Sequence, residues 1–189
     1  VADRCAVFYE GKIVKIFNES GIKSGLIIYN GALLRKEPFT GSDLQFEQEG
    51  LFFWLTGWSK PDSKITIDLE TGKSVLFIPR YGEQYEIWNG PIPKNSEVKE
   101  QCGVDEVMFT DEFYSYIEDV EPLFGADNQY PKVFNDELIV AAGIARRVKS
   151  EAEIECLRKA SQLTAEAIVY VMKNIQPGWS ENEVDAEFT

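Results

Sequence analysis

Apolar residues repeat along the first part of the chain at spacings that distinguish helices from strands. Between residues 6 and 17 they recur every three to four positions, which predicts a helix even though Gly11 interrupts the pattern. Continuous apolar runs at residues 25–29 and 51–55 predict strands buried on both faces, and the second run is rich in aromatic side chains. We therefore expect one helix followed by strands of a sheet.

Two further segments carry a hairpin pattern. Residues 65–69 and 74–78 are rich in β-branched and apolar side chains, and they flank a short connection at residues 70–73 that contains glycine. Pro79 ends the second segment, because proline has no N–H to donate to a neighbouring strand. This arrangement predicts an antiparallel hairpin.

Helix and strand patterns alternate in the middle of the chain. We predict a helix over residues 82–88, a strand over 104–109, a helix over 111–118 with Asp111 as its N-cap, and a short strand over 132–134. Alternation of this kind is typical of α/β layers. Together with the hairpin, it predicts an α/β fold in which a mixed sheet is flanked by helices.

The last 40 residues carry the clearest helix signals. Ser150 and Glu153 form an S-x-x-E capping box, and apolar residues then repeat at helical spacing as far as Ile175. We expect a helix roughly 40 Å long with one buried stripe. Ser180 and Glu183 repeat the capping box near the end of the sequence, which predicts that a second domain begins here and is not completed.

The composition narrows the classes of function. A formal charge of −13 argues against nucleic-acid binding, which depends on Lys and Arg. The acidity suits a basic protein partner or a cationic substrate, but a solvated acidic surface that aids solubility explains it better. The sequence has no histidine, so histidine-dependent chemistry would need residues outside it.

Neither a membrane segment nor a disulfide framework is expected. The longest apolar runs, residues 51–55 and 138–145, are far shorter than the ~20 residues of a membrane-spanning helix, and no signal-peptide pattern is present. Cys5, Cys102 and Cys156 are widely spaced without a CxxC pair, as expected of reduced thiols. We therefore expect a cytoplasmic protein.

Three motifs, in order, resemble the creatinase-type pita-bread metallopeptidases, in particular Xaa-Pro dipeptidase (prolidase) and aminopeptidase P. The first and second motifs resemble the N-terminal domain of these enzymes. The second consists of residues 76–80 and 86–90, and the first of Asp43, Phe46, Gln48, Phe53, Trp54, Thr56, Gly57 and Pro61. The third resembles the junction with the catalytic domain, and its residues are Arg147, Lys149, Ser150, Glu153, Ile154, Leu157, Arg158, Ala160, Thr164, Ala167, Gly178, Glu181 and Glu187. The resemblance covers essentially the whole chain.

The resemblance implies a two-domain enzyme that hydrolyses Xaa-Pro peptide bonds. Residues 1–145 would form the creatinase/prolidase-like N-terminal domain, and residues 146–189 the junction and first helix of a truncated pita-bread catalytic domain. The family's catalytic domain binds two divalent metals, commonly manganese, and no ligand, metal or catalytic residue is assigned within this sequence. The implied partners are the chain's own catalytic domain, a second copy in a homodimer, and short proline-containing peptides.

Trp88 is the candidate substrate-cleft residue. It matches the tryptophan of the family's Trp-x-Gly stretch, which in prolidase-like dimers reaches toward the partner subunit's active site. There a flat apolar ring packs on a proline ring. The alternative is that Trp88 packs in the core of its own domain, as we expect for Phe53, Trp54 and Phe77.

Four polar residues are candidates for ordering or interface roles. Arg80 either pairs bidentately with a carboxylate near an acidic interface or is an exposed charge at a strand end. Arg147, with Arg146, is expected to pair with acidic groups at the domain junction. Asp43 and Gln48 are expected to order a loop through hydrogen bonds and not to act as catalytic groups.

A second class of function remains open. Non-catalytic pita-bread relatives, such as histone chaperones, bind basic proteins, and the charge of −13 would suit that role. The spacing around Trp88 favours the peptidase.

Overall fold

The computed structural model describes residues 6–125, 133–134 and 136–188, which divide after Arg146 into two compact units, each described here by itself. The helices are α1 (Ala6–Glu19), α2 (Gly50–Thr56), α3 (Glu83–Asn89), α4 (Asn95–Cys102), α5 (Phe113–Ile117), α6 (Asp136–Arg147), α7 (Glu151–Asn174) and α8 (Glu181–Phe188). The strands are β1 (Leu26–Asn30), β2 (Lys64–Asp68), β3 (Ser74–Ile78), β4 (Glu106–Phe109), β5 (Leu123–Gly125) and β6 (Val133–Phe134).

The six strands form one mixed sheet in the order β4-β3-β2-β1-β5-β6. The neighbours β1–β2 and β2–β3 are antiparallel, whereas β3–β4, β1–β5 and β5–β6 are parallel. The predicted α/β fold with a mixed sheet flanked by helices is therefore confirmed.

The predicted hairpin is formed by β2 and β3, with Thr66 opposite Val75. Asp68 orders the turn, because its carboxylate accepts hydrogen bonds from the backbone N–H of Glu70 and Thr71. Gly72 has a φ of 74°, a left-handed conformation that glycine adopts without a steric penalty.

Two apolar layers cover the two faces of the sheet. Alternate strand residues, such as Ile27 and Ile67, lie in a large cluster with apolar residues of α1, α2, α4 and α6. The residues between them, such as Ile28 and Phe77, lie in a smaller cluster with Phe113 and Ile117 of α5. Because successive strand side chains point to opposite faces, one strand supplies both layers.

The prediction of a strand at residues 51–55 is wrong, because this run forms most of α2. Glu49 caps the helix by accepting a hydrogen bond from the Phe52 N–H at 2.7 Å. Gly57 ends it in a left-handed conformation, and its N–H donates to the Phe53 carbonyl at 2.7 Å. An uninterrupted apolar run of this length fits a buried strand as well as a short helix, and the flanking caps decide between them.

The helical geometry also corrects the prediction that Phe53 is a core residue. Leu51, Phe52, Leu55 and Thr56 are buried, whereas Phe53 lies on the outer face of α2 and is 49% exposed. Trp54 is partly buried against the core, with its ring 4.3 Å from that of Tyr9, and Phe77 is fully buried. The aromatic residues of this run thus divide between core and surface.

Several other boundaries differ from the sequence prediction. The N-cap of α5 is Glu112 and not Asp111, whose carboxylate pairs with Arg80 instead. The helix α6 has no counterpart among the predicted elements. Lys132, which begins the strand predicted over residues 132–134, lies outside the described residues.

In the second unit, both predicted capping boxes are present. Ser150 Oγ accepts a hydrogen bond from the Glu153 N–H at 3.3 Å, and Glu153 Oε2 accepts one from the Ser150 N–H at 2.7 Å. Ser180 and Glu183 repeat these bonds at the start of α8. The 24 residues of α7 span about 36 Å at ~1.5 Å per residue.

The apolar stripe of α7 is mostly exposed, contrary to the prediction that it is buried. Val171 is buried, but Leu157, Ile168 and Met172 expose about half or more of their surface. The hydrophobic pattern established the helix but not what covers it. Across the described helices, none is both long enough and apolar enough to cross a membrane.

Candidate functional site

The candidate cleft residue Trp88 lies near the end of α3 and is 86% exposed. Ile87 beside it is 73% exposed, so the two side chains form a small apolar surface. This exposure excludes the alternative that Trp88 packs in the core of its own unit. Aromatic side chains are enriched at contact surfaces, so this exposed tryptophan is a candidate for one.

Local contacts hold α3 in place. The ring of Tyr85 lies 4.1 Å from that of Tyr81, whose pKa is raised mainly by burial. Glu86 Oε1 accepts a hydrogen bond from the Ile92 N–H at 3.2 Å, which fixes the chain after the helix. At Gly90, φ is 81°, and its N–H donates to the Glu86 carbonyl, so glycine ends the helix directly after the Trp88 turn.

Arg80 pairs with a carboxylate of its own unit. Its Nε donates to Asp111 Oδ2 at 3.0 Å and a terminal nitrogen donates to Asp111 Oδ1 at 3.4 Å, which makes the pair bidentate. The guanidinium also lies 3.7 Å from the centre of the Phe109 ring. The hydrogen bond to Asp111 raises the pKa of Arg80 and lowers that of Asp111, and both side chains are more than half exposed.

Gln48 joins three loop segments. Its Oε1 accepts hydrogen bonds from the N–H of Ala32 at 2.7 Å and of Glu49 at 2.9 Å, and its Nε2 donates to the carbonyls of Trp58 at 3.2 Å and Lys60 at 2.8 Å. These four hydrogen bonds use both N–H groups of the amide and both lone pairs of its oxygen. Gln48 therefore sets the path of the chain around α2.

The close approach of Gln48 and Phe52 favours glycine at position 31. A Cβ placed on Gly31 would lie 3.0 Å from Gln48 Oε1 and 3.1 Å from the Phe52 ring. Any side chain at this position would displace Gln48 or the ring of a fully buried phenylalanine.

The structure places Asp43 and Arg147 at exposed positions. Asp43 pairs through its backbone with Lys36 in an isolated β-bridge that closes a surface loop. Arg147 is the last residue of α6, and no ion pair to it occurs among the described residues. Arg146 lies with its guanidinium 5.9 Å from the centre of the Trp54 ring. Among the predicted residues, therefore, Gln48 and Arg80 have ordered side-chain partners and Trp88 has an open surface.

Comparison with known proteins identifies the family. The chain matches the aminopeptidase P N-terminal domain family over residues 15–125, which is more than half of its length. The chain belongs to this family. Within the matched range lie Asp43, Gln48, Arg80 and Trp88, whereas Arg147 lies outside it.

Xaa-Pro dipeptidases are among the similar sequences. The human enzyme is 28% identical over 182 residues, a match covering 86% of this chain and 37% of the relative. The orangutan (Pongo abelii) enzyme is 30% identical over 168 residues, covering 79% of this chain and 34% of the relative. The chain thus spans little more than a third of the length of these relatives.

Solved structures share the fold of this N-terminal domain. The low-pH form of Escherichia coli aminopeptidase P has a TM-score of 0.74 at 19% identity, covering 98% of this chain and 49% of that one. Proline aminopeptidase P II from Yersinia pestis has a TM-score of 0.72 at 22% identity, covering 95% and 48%. At these identities the match establishes the fold.

The described part of this aminopeptidase P N-terminal domain offers no metal centre. Among its described residues, no three or more Asp, Glu, Cys or His side chains lie together as a ligand group. Cys102 is a buried free thiol whose pKa is raised to about 12 by burial, and Cys156 is an exposed free thiol. The described residues therefore do not fit the two-metal centre that the family resemblance implies.

One buried acidic residue was missed by the sequence analysis. Glu10 of α1 is only 4% exposed, and burial raises its pKa to about 8. The sequence spacing could have revealed this burial, because Glu10 lies on the same helical face as Ile13 and Phe17. An acidic residue within an apolar stripe indicates a buried carboxyl group.

Proposed function

We propose that this chain is the non-catalytic N-terminal domain of an Xaa-Pro peptidase and shapes access to a substrate cleft. The parent enzyme would hydrolyse Xaa-Pro peptide bonds, as a dipeptidase or an aminopeptidase, on short proline-containing peptides. The names of the human and orangutan relatives support this substrate class. The domain would also support assembly of a homodimer.

The exposed Trp88 is the observation that carries this proposal. Proline forms a tertiary amide without an N–H, so a binding site recognises it largely through its ring. A flat aromatic side chain that is 86% exposed and held on a short, ordered helix provides a surface of that shape. The position of Trp88 inside the family match supports a role in the family's function.

Chemistry would be supplied by a catalytic domain with two divalent metals, manganese being the expected ion. Two metals activate a water nucleophile and stabilise the charge that develops on the scissile carbonyl. The role of this chain's own residues is to position and restrict the substrate. We further propose a cytoplasmic setting, where Cys102 and Cys156 stay reduced.

Kinetics of the intact enzyme test the cleft role. Trp88→Ala should lower kcat/KM for an Xaa-Pro dipeptide by roughly tenfold, equivalent to ~1.4 kcal/mol, mainly through KM. The melting temperature should change little because the side chain is exposed. Tyr114→Ala, which removes an exposed aromatic side chain from a different helix, α5, is the matched control and should leave kinetics near those of the unmodified enzyme.

Two outcomes would count against the proposal. If Trp88→Ala lowers thermal stability and the folded fraction keeps its kinetics, Trp88 has a structural role. If the purified 189-residue chain hydrolyses an Xaa-Pro dipeptide with manganese, and a chelator abolishes the activity, the non-catalytic assignment is wrong.

Binding to a basic protein is a second candidate function, and the charge of −13 favours it. Histone chaperones with a pita-bread fold are the expected class. Saturable binding of core histones at physiological salt, together with full-length protein that lacks peptidase activity, would favour this candidate over the first.

A further inference from the structure

The buried Glu10 lies where α1 meets the beginning of two neighbouring strands. Ser74 is the first residue of β3, and Asp105 directly precedes β4. Because β3 and β4 are parallel, their first residues lie at the same end of the sheet. The carboxyl group of Glu10 lies near the Ser74 hydroxyl, and Glu10 lines the same cavity as Asp105.

Ser74 and Asp105 already form a closed set of hydrogen bonds. Asp105 Oδ2 accepts from the Ser74 N–H at 2.8 Å and from the Ser74 hydroxyl at 3.2 Å. In return, Ser74 Oγ accepts from the Asp105 N–H at 3.2 Å. Meanwhile Glu10 Oε1 is buried and has no hydrogen-bond partner among the residues that the structure describes.

The number of donors at this position decides which form of Glu10 fits. A hydroxyl group has one proton and two lone pairs. The Ser74 hydroxyl donates its hydrogen bond to the Asp105 carboxylate, and one lone pair of Ser74 Oγ accepts a hydrogen bond from the Asp105 N–H. The lone pair that remains on Ser74 can pair only with a donor, and a protonated Glu10 carboxyl group is a donor whereas a carboxylate is not.

Among residues 6–125, the part of the first unit that the structure describes without a gap, the other titratable groups near Glu10 do not neutralise a carboxylate there. Lys73, which lines the same cavity as Glu10 and Asp105, has its ammonium 2.7 Å from Glu106. The Cys102 thiol of α4 feels the charge of Glu10, and burial keeps it protonated by raising its pKa. An ionised Glu10 would therefore be a buried negative charge beside the exposed carboxylate of Asp105.

We propose that Glu10 is a proton-dependent latch that fastens the start of α1 to the β3–β4 end of the sheet. As the neutral acid, it donates to Ser74 Oγ and completes the hydrogen-bond network with Asp105. When it loses its proton, two carboxylates compete for one hydroxyl hydrogen, and the first turns of α1 loosen from the sheet. The role of Trp88 is independent of this device.

The direction of the pH dependence follows from the burial of Glu10. Burial, together with the nearby negative charge of Asp105, raises the Glu10 pKa from 4.5 to about 8. The unfolded chain ionises at the lower value, so attachment of α1 is complete below it and is lost as the pH rises toward 8.

Hydrogen exchange in the intact protein tests the latch. Once corrected for the intrinsic pH dependence of exchange, protection of the α1 amides should fall at least tenfold between pH 6 and pH 9, while β2 amides keep theirs. Glu10→Gln, which stays neutral, should make α1 protection independent of pH. Glu19→Gln, an exposed position on the same helix, should keep the unmodified profile.

A direct titration keeps the test decisive if Glu10→Gln fails to fold. The side-chain carboxyl ¹³C shift of Glu10 in the unmodified protein should titrate with a midpoint above pH 6, and Asp105→Asn should move that midpoint to lower pH. A midpoint near the ordinary glutamate value, or parallel α1 protection profiles in the unmodified protein and Glu10→Gln, would overturn the proposal.

Discussion

The helices α1 and α7 carry similar amphipathic patterns but have different surroundings. In α1, Ile13 and Phe17 are fully buried against the sheet and α2. In α7, Leu157 and Met172 lie in the apolar stripe and remain exposed, and Val171 is the one buried residue of that helix. The comparison shows that a hydrophobic period predicts a helix but does not identify the surface that covers it.

The two helices also differ in how their ends are held. α7 begins with a reciprocal capping box between Ser150 and Glu153, which acts within one turn of the chain. α1 is held by long-range contacts, including the Tyr9 and Trp54 rings and the network of Glu10. Short-range contacts can be predicted from sequence spacing, whereas long-range contacts depend on the fold.

The largest expected effect is on the free energy of unfolding, when one side chain is truncated in the apolar stripe of α1 and one in that of α7. Phe17→Ala should destabilise the protein by about 3–5 kcal/mol, because it removes a fully buried ring and leaves a cavity. Leu157→Ala, its counterpart in α7, should change stability by less than about 0.5 kcal/mol, because Leu157 is 55% exposed. Urea unfolding measures the stability of both variants. Equal losses of stability would contradict the difference in burial between Phe17 and Leu157.

A smaller effect is expected from the loop network of the first unit. Gln48→Ala should cost about 2 kcal/mol, because the N–H of Ala32 and the carbonyls of Trp58 and Lys60 lose their partner. Gln45→Ala, at a nearby exposed position, is the control and should be close to neutral.

Chemical denaturation measures the difference between these two glutamine variants. A loss at Gln48 no larger than the loss at Gln45 would show that water replaces the amide and that the network does not order the loops.

The smallest expected effect concerns the cap of α7. Ser150→Ala should cost about 1 kcal/mol of stability in the second unit, because the Glu153 N–H loses its acceptor. Ser150→Asp, which keeps an acceptor at the N-cap, should retain most of the helix. Helix content measured by circular dichroism during thermal unfolding compares the two, and identical curves would rule out a role for the cap.

The aromatic run at residues 51–55 shows where local pattern ceases to be sufficient. Its composition fits a buried strand, but Glu49 and Gly57 cap it as α2, and the helix turns Phe53 outward. The hairpin of β2 and β3 was predictable because both its strand patterns and its turn are local. Residues that act through distant partners, such as Arg80 with Asp111, were recognised as candidates without their partners.

Sequence alone determined the α/β class, the hairpin, the capping boxes of α7 and α8 and the resemblance to the aminopeptidase P family, because these depend on residue type and short spacing. Tertiary structure decided that Phe53 lies at the surface, that Trp88 faces outward and that Glu10 lies near Ser74 and Asp105. The physical reason is that burial depends on contacts between residues far apart in the chain. The hydrophobic periodicity of one segment does not show which distant residues contact it.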